Sequence, residues 1–373
     1  MARDDAYDLL MFLCIAIAAD ALCPYKYAGV NGAVVAFAME AMEEDRGRGI
    51  SRAPWGFHSF PPQQDLELFR FTRDEIEDLM DALQFPPDEY WLTTSGSQFT
   101  REEAMLLFLR RMSYPTKLTN LTNEGFHAQI GALSELYTMV AEWIYTNHTS
   151  CLLCSGLIHW KDRVPLYAAG VERYTGIPLE CFGFIDGTAR AISRPSREQR
   201  AFYSGHKRGH RLQFMSIVAP DGMLIYSAGP TNGAHQDNWL VHESKLVTDI
   251  LPGLAEELGH VYCIYGDHIY ARSVYLQKGF PTVERTWREQ ILNQSMNSAR
   301  VAVEHAFNRV IALWAFVDFA KQQKSLCTRP AMAYLNAQFL TNCNNCMYPN
   351  QVSQAFDIEP PTLREYISLG RGE

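Results

Sequence analysis

With 373 residues, 47% of them apolar and 12% aromatic, the chain is long for a single core and too apolar to be disordered except at its ends. Its net charge of -9 argues against a general nucleic-acid coat protein, yet the acidity is local: residues 1–100 hold 17 acids against 7 bases, and the remainder is close to neutral. The most apolar stretch, Leu9 to Ala19, is too short to span a membrane and lacks a basic leader, so neither an anchor nor a signal peptide is expected and the nine cysteines read as reduced thiols.

In chain order, residues 4–44 form two Ala-rich apolar stretches split by Pro24 and Gly29, which predicts a helical pair. Residues 46–64, with Arg46, Arg48, Arg52 and three prolines, read as a solvated linker or a basic arm. Thr72 followed by Glu75, and Thr100 followed by Glu103, are capping boxes that open two amphipathic helices. Short apolar runs at 118–121 and 126–130 and a long helix from about Ser134 to Tyr145 then fit either a helix-turn-helix or a small bundle without DNA contacts. Another amphipathic segment covers Trp160 to Tyr174.

Strand signals follow. Phe182–Ile185 is a short apolar run ending in Asp186 and a Gly187-Thr188 turn. Leu212–Val218 and Met223–Tyr226 flank Pro220-Asp221-Gly222, a hairpin signal. A helix over Asn238–Ile250, a strand over Val261–Tyr265 ending in Gly266-Asp267, and a long helix over Gln294–Phe319 complete an α/β sheet layout.

Three acids stand out by position. Asp186 and Asp267 each follow an apolar strand, and Glu304 sits at the edge of a helical stripe made by Val303, Phe307, Val310, Ile311 and Trp314. If the strands are neighbours and the helix crosses them, the carboxylates converge, and such a cluster repels itself unless a cation neutralises it. Taken singly, an Asp before Gly is a turn residue and Glu304 is a solvated acid or a partner of Arg300 one turn earlier. Between Arg190 and Arg211 lie seven Arg or Lys residues and one acid, Glu198.

The segments FIDGTARAISRPSREQRAFYSGHKRGHRLQF, NGAHQDNW, YGDHIY, NQSMNSARVAVEHAFNRV and MYPNQVSQAFDIEPPTLREYI occur in an order that resembles a PIF/Harbinger-type DDE transposase, or a nuclease derived from one, from about Phe69 onward. The resemblance implies an RNase H-like mixed sheet flanked by helices over residues 176–373, behind an all-helical portion comprising the 1–64 helical region and linker and a 65–175 domain. It implies catalytic, metal-binding acids at Asp186, Asp267 and Glu304, with Mg²⁺ or Mn²⁺ as two divalent ions, and an auxiliary role for Asp237. The 36 residues between Asp267 and Glu304 are fewer than is usual in the family.

Double-stranded DNA is the expected partner, gripped through its phosphates by Arg194, Arg197, Arg200, Lys207 and Arg208. The resemblance adds a Myb-like DNA-binding partner protein, and the need to handle two element ends points to a homodimer. The expected compartment is the nucleus, with the cytoplasm as second option. The competing reading is a domesticated, non-enzymatic protein that keeps the fold and binds DNA or a partner. Cys151, Cys154, Cys343 and Cys346 form two close-spaced pairs, a weak zinc pattern across so long a gap.

Overall fold

A mixed six-stranded sheet organises the C-terminal half of the computed structural model, which describes residues 54–371 apart from 154–155, 206, 234–236, 282–284 and 325–327. The helical pair expected over 4–44, and the first part of the linker, lie outside the described residues.

The early part of the chain is helical. Thr72 and Thr100 cap α1 (Arg73–Leu83) and α2 (Arg101–Ser113), and each capping box closes as the sequence predicts. Further helices are α3 (Ile130–His148) and α4 (Val164–Thr175). Residues 54–64 are only in part the solvated connector expected of them: Pro54, His58 and residues 61–64 are exposed, whereas Trp55 and Phe60 are buried, packing edge-on and tilted against Phe126, because aromatic side chains gain more from burial than from water. The helix that would enter a DNA groove in a helix-turn-helix, α3, carries Glu135 and Glu142 and no Lys or Arg. Its Leu133, Leu136, Val140 and Ile144 are fully buried, as either a bundle or a helix-turn-helix requires.

β1 (Cys181–Ala191) is longer than the four-residue run predicted for it, passing straight through Asp186 and the expected Gly187-Thr188 turn. The reason is its partner: β1 pairs antiparallel with β3 (Gly209–Val218) all the way from Phe184↔Val218 to Ala191↔Arg211. Between them β2 (Tyr203–Ser204) pairs with the start of β3. The hairpin forms as expected, β3 turning into β4 (Leu224–Asn232) with Gly222 at φ +84°. The helix expected over 238–250 is interrupted: α5 (Asp237–Glu243) stops, Lys245 takes a left-handed conformation, a single π turn covers Leu246–Ile250, and α6 (Leu251–Leu258) follows. Next come β5 (Cys263–Gly266) and β6 (Leu276–Lys278), both in the parallel part of the sheet. The order is β4-β3-β1-β5-β6, with β1 between its antiparallel and parallel halves.

α7 (Trp287–Leu313) starts seven residues before its predicted beginning because Thr286 and Glu289 form another capping box, and it stops at Trp314. The last long elements are α8 (Pro330–Met347) and α9 (Leu363–Arg371). Helices and sheet share one continuous hydrophobic core, which includes Trp91, Leu106, Ile144, Phe184, Phe214, Val303 and Phe339. No helix among the described residues is long and apolar enough to cross a membrane.

α8 is unusual in burying Asn336, Gln338, Thr341, Asn342, Asn344 and Asn345 together. Buried polar groups require partners, and each of these residues makes at least one hydrogen bond, although Asn336 Oδ1 and Asn345 Oδ1 have none among the described residues. The Asn342 amide accepts from Leu224 N at 2.9 Å and donates to Leu224 O at 2.8 Å, completing the outer side of β4 as a neighbouring strand would. Gln338 bonds Ser227 and Ser216, and Asn345 donates to Gly222 O at 3.0 Å. Replacing Asn342 by Leu leaves both backbone groups of Leu224 unpaired in the interior, so chemical denaturation should show a loss of about 2–4 kcal/mol.

Candidate active site

The geometry of the two aspartates comes from strand register. β1 and β5 run parallel with Phe184 opposite Tyr265, and Asp186 and Asp267 each lie two residues further along. Because side chains alternate along a strand, Asp186 lies on the same side of β1 as Phe184, whereas Asp267 lies just past the end of β5. β5 ends at Gly266, so Asp186 lies in the middle of β1 yet just beyond the parallel pairing. The close approach at this point needs a glycine. A Cβ on Gly266 would sit 2.8 Å from Ile185 Cγ2 and 2.6 Å from the buried Tyr270 ring.

α7 packs across both strands. Asn293, Met296, Ala299, Ala302, Val303, Ala306, Phe307 and Val310 form its buried side, and Arg300 and Glu304 flank it one turn apart. Tyr265 Oη lies 3.4 Å from Asn297 Oδ1, tying the helix to β5. Arg300 ties it to β1: its Nη1 is 3.0 Å from Asp186 Oδ2, while its Nη2 is 3.7 Å from Glu304 Oε1. The Arg300–Glu304 neighbourhood is legible from spacing alone. The Asp186 contact is not: sequence reasoning placed Arg300 beside Glu304 and missed its bond to Asp186.

Asp267 is oriented locally, its Oδ1 lying 2.6 Å from the His268 backbone N and 2.5 Å from the ring Nδ1. Burial pushes its carboxyl up, but His268 and the more distant positive charge of Arg300 outweigh that and hold it below the ordinary aspartate range. Asp267 is therefore ionised through the mildly acidic range. The carboxylates differ in setting: Asp186 is 23% exposed and Glu304 57%, so the strand side of the site is enclosed and the helix side open.

The donor chemistry, carboxylate oxygens from three elements, suits a hard divalent cation. As they stand, however, no three His, Cys, Asp or Glu side chains among the described residues are gathered to hold one; the guanidinium of Arg300 lies between Asp186 and Glu304 instead. The same holds for the cysteine pattern, of which Cys151 and Cys343 are buried, Cys346 is partly buried and Cys154 lies outside the described residues. The Asp237 side chain also lies outside them, although the next residue, Asn238, accepts from Ala271 N at 3.3 Å in the loop after Asp267.

The basic run divides in two. Arg190 and Arg211 lie on β1 and β3 and serve the fold: Arg190 stacks 5.2 Å from the Tyr334 ring and reaches Asp318, and Arg211 donates to Ala189 O at 3.5 Å. Arg194, Arg197, Arg200, Lys207 and Arg208 lie on the connecting segment between those strands, and all five are exposed. Arg194 donates to Gln199 at 2.9 Å, and Arg208 adopts φ +50°. The segment leaves β1 at Ala191, five residues beyond Asp186, so these cations follow that acid on the continuation of the same strand.

Residues 185–342 match the family model described as DDE superfamily endonuclease. No curated protein and no solved structure matches the chain. The matched span starts one residue before Asp186, contains Asp267 and Glu304, and ends at Asn342 in α8. It supports a DDE-superfamily, nuclease-type assignment for that segment, and the mixed sheet flanked by helices fits such a fold.

Gly266→Ala should disturb the site through packing alone. The added methyl must displace Tyr270 or Ile185, so equilibrium denaturation should show a loss of about 1–3 kcal/mol. A neutral outcome would mean that β1 and β5 do not need the close approach that a glycine permits.

Proposed function

We propose that the chain is a DNA endonuclease and strand transferase of the PIF/Harbinger DDE type, its sheet RNase H-like and its catalytic acids Asp186, Asp267 and Glu304. The observation that carries this reading is the register: two aspartates two residues beyond an in-register pair on adjacent parallel strands, with a glutamate on the helix that crosses them. The family match spans all three. Such acids would hold divalent Mg²⁺ or Mn²⁺, which when bound activates the attacking water or 3′-hydroxyl and stabilises the leaving oxygen.

The remaining work belongs to this chain's own side chains. Asp186 is held by the sheet and is the best-fixed acid, Asp267 is oriented by His268, and Glu304 is the acid most open to solvent. Arg194, Arg197, Arg200, Lys207 and Arg208 offer a duplex five exposed cations, which position the backbone without reading its sequence. On this reading the substrate is double-stranded DNA in the nucleus, with a Myb-like protein supplying sequence recognition and a pair of chains handling two element ends. Asp237 takes an auxiliary role beside Asp267.

The second reading, a non-enzymatic protein that retains the fold, is favoured by one observation: Arg300 stands between two of the acids. A plasmid carrying candidate terminal repeats distinguishes the two. With Mg²⁺ or Mn²⁺ and the partner supplied, the wild type should nick it, and Asp186→Asn or Glu304→Gln should reduce the rate at least about 100-fold. Equal cleavage by Asp186→Asn, or none by the wild type, would overturn the enzymatic reading.

DNA affinity should fall steeply with salt. In the double variant Arg197→Ala, Arg200→Ala the slope of log K against log salt should flatten by about 2, one counterion for each lost phosphate contact. An unchanged slope would remove the basic segment from the DNA interface.

A further inference from the structure

Arg300 is 19% exposed and placed by the buried flank of α7. It meets the enclosed carboxylate of Asp186 at 3.0 Å and the open one of Glu304 at 3.7 Å. A guanidinium keeps its proton at every pH a protein survives, so its charge cannot be switched off. A divalent cation sharing these carboxylates would meet a fixed positive charge at close range, and one of the two must yield.

Resting on the reading of Asp186, Asp267 and Glu304 as metal-binding acids, we propose that Arg300 is the resident counter-cation of their cluster, holding Asp186 and Glu304 together before metal enters and swinging away from them when it does. The helix side of the cluster gives it somewhere to go. Glu304 is more than half exposed, so the guanidinium can leave toward water, while the Asp186 carboxylate stays where β1 and β3 fix it. Cation entry and Arg300 release are then one coupled event. The 3.7 Å contact to Glu304 is the weaker of the two, because an exposed pair is screened by solvent, so it should break first. Arg300 is thus a positioning residue that sets how readily the site loads.

The test uses the full chain without DNA and Mn²⁺ alone as the probe, with free Mn²⁺ counted by electron paramagnetic resonance. Four proteins are compared: wild type, Arg300→Gln, Arg300→Lys and Asp186→Asn. Arg300→Gln should half-saturate at about tenfold lower Mn²⁺ than the wild type, because it removes the competing charge but keeps a polar side chain. Arg300→Lys, which keeps the charge but not the planar fork that spans two carboxylates, should fall between them. If Arg300→Gln fails to fold, as circular dichroism would show, the shift in Arg300→Lys alone carries the comparison. Unchanged or weaker Mn²⁺ binding in the Arg300 variants, with binding lost in Asp186→Asn, would overturn the counter-cation role while leaving the metal site standing. Unchanged binding in Asp186→Asn would instead remove Asp186 from the metal site and overturn the metal-binding reading together with the proposal.

Discussion

The hydrogen bonds between α8 and the β3–β4 hairpin are the constraint on which the other elements depend. A strand at the margin of a sheet must be paired, covered or kept wet, and β4 is covered. Asn342 gives Leu224 both a donor and an acceptor, Asn345 takes the turn at Gly222, and Gln338 joins Ser216 of β3 to Ser227 of β4. The other side of the same helix meets the helical part of the chain, with Asn336 donating to Ala141 O of α3 and Asn344 to Arg70 O before α1. A helix that satisfies two layers through directional bonds fixes their registry more tightly than apolar packing alone, since each amide has one correct partner. β1 is held by β3, and Asp186 by β1, so the acid's position rests on that helix at one remove.

The electrostatics of the site obey the same logic of compensation. Each acid has its own local partner: the Arg300 guanidinium serves Asp186 and Glu304, and His268 serves Asp267. Asp221 shows the contrast with a structural acid. It is fully buried and takes its partners from the fold: Tyr167 at 2.6 Å, Arg163 at 3.3 Å and the Met223 N–H at 3.0 Å. Burial still pushes its carboxyl above the usual range, against the pull of those three donors. Asp267, with solvent access and a local partner, moves the opposite way.

Much of the fold was legible where local chemistry decides. Capping boxes at Thr72 and Thr100 announced their helices, Pro220-Asp221-Gly222 announced its hairpin, and an apolar run before Asp186 or Asp267 announced a strand. What stayed hidden was decided by partners distant in the chain. β1 continues past Asp186 because β3 is there to pair with it, and the burial of Trp55 depends on Phe126. α8 escapes a hydrophobic-stripe search because it is buried all round, its Asn, Gln and Thr interleaved with Tyr334, Leu335, Phe339 and Leu340, and burial of those amides is possible only once Leu224, Ser227 and Gly222 stand opposite. For the candidate site, the acids were singled out by motif and strand position, whereas the Asp186–Arg300 contact required knowing that α7 crosses β1 at that level.

The connection from β1 to β3 is rooted in an uncommon way. Where a tight hairpin would join two antiparallel strands, the chain instead makes an excursion, and Ser193 at its base bonds the backbone of Ala320 and Gln323, while Gln323 is itself buried and bonded to Phe316 O. The excursion therefore has a root tied into the interior and a crown of exposed cations that β2 pins to the start of β3. Residues can be gained, lost or exchanged in the crown at small entropic expense without shifting the ladder that places Asp186. Natural variation can in this way change the exposed charge of the crown while leaving the position of Asp186 unaltered.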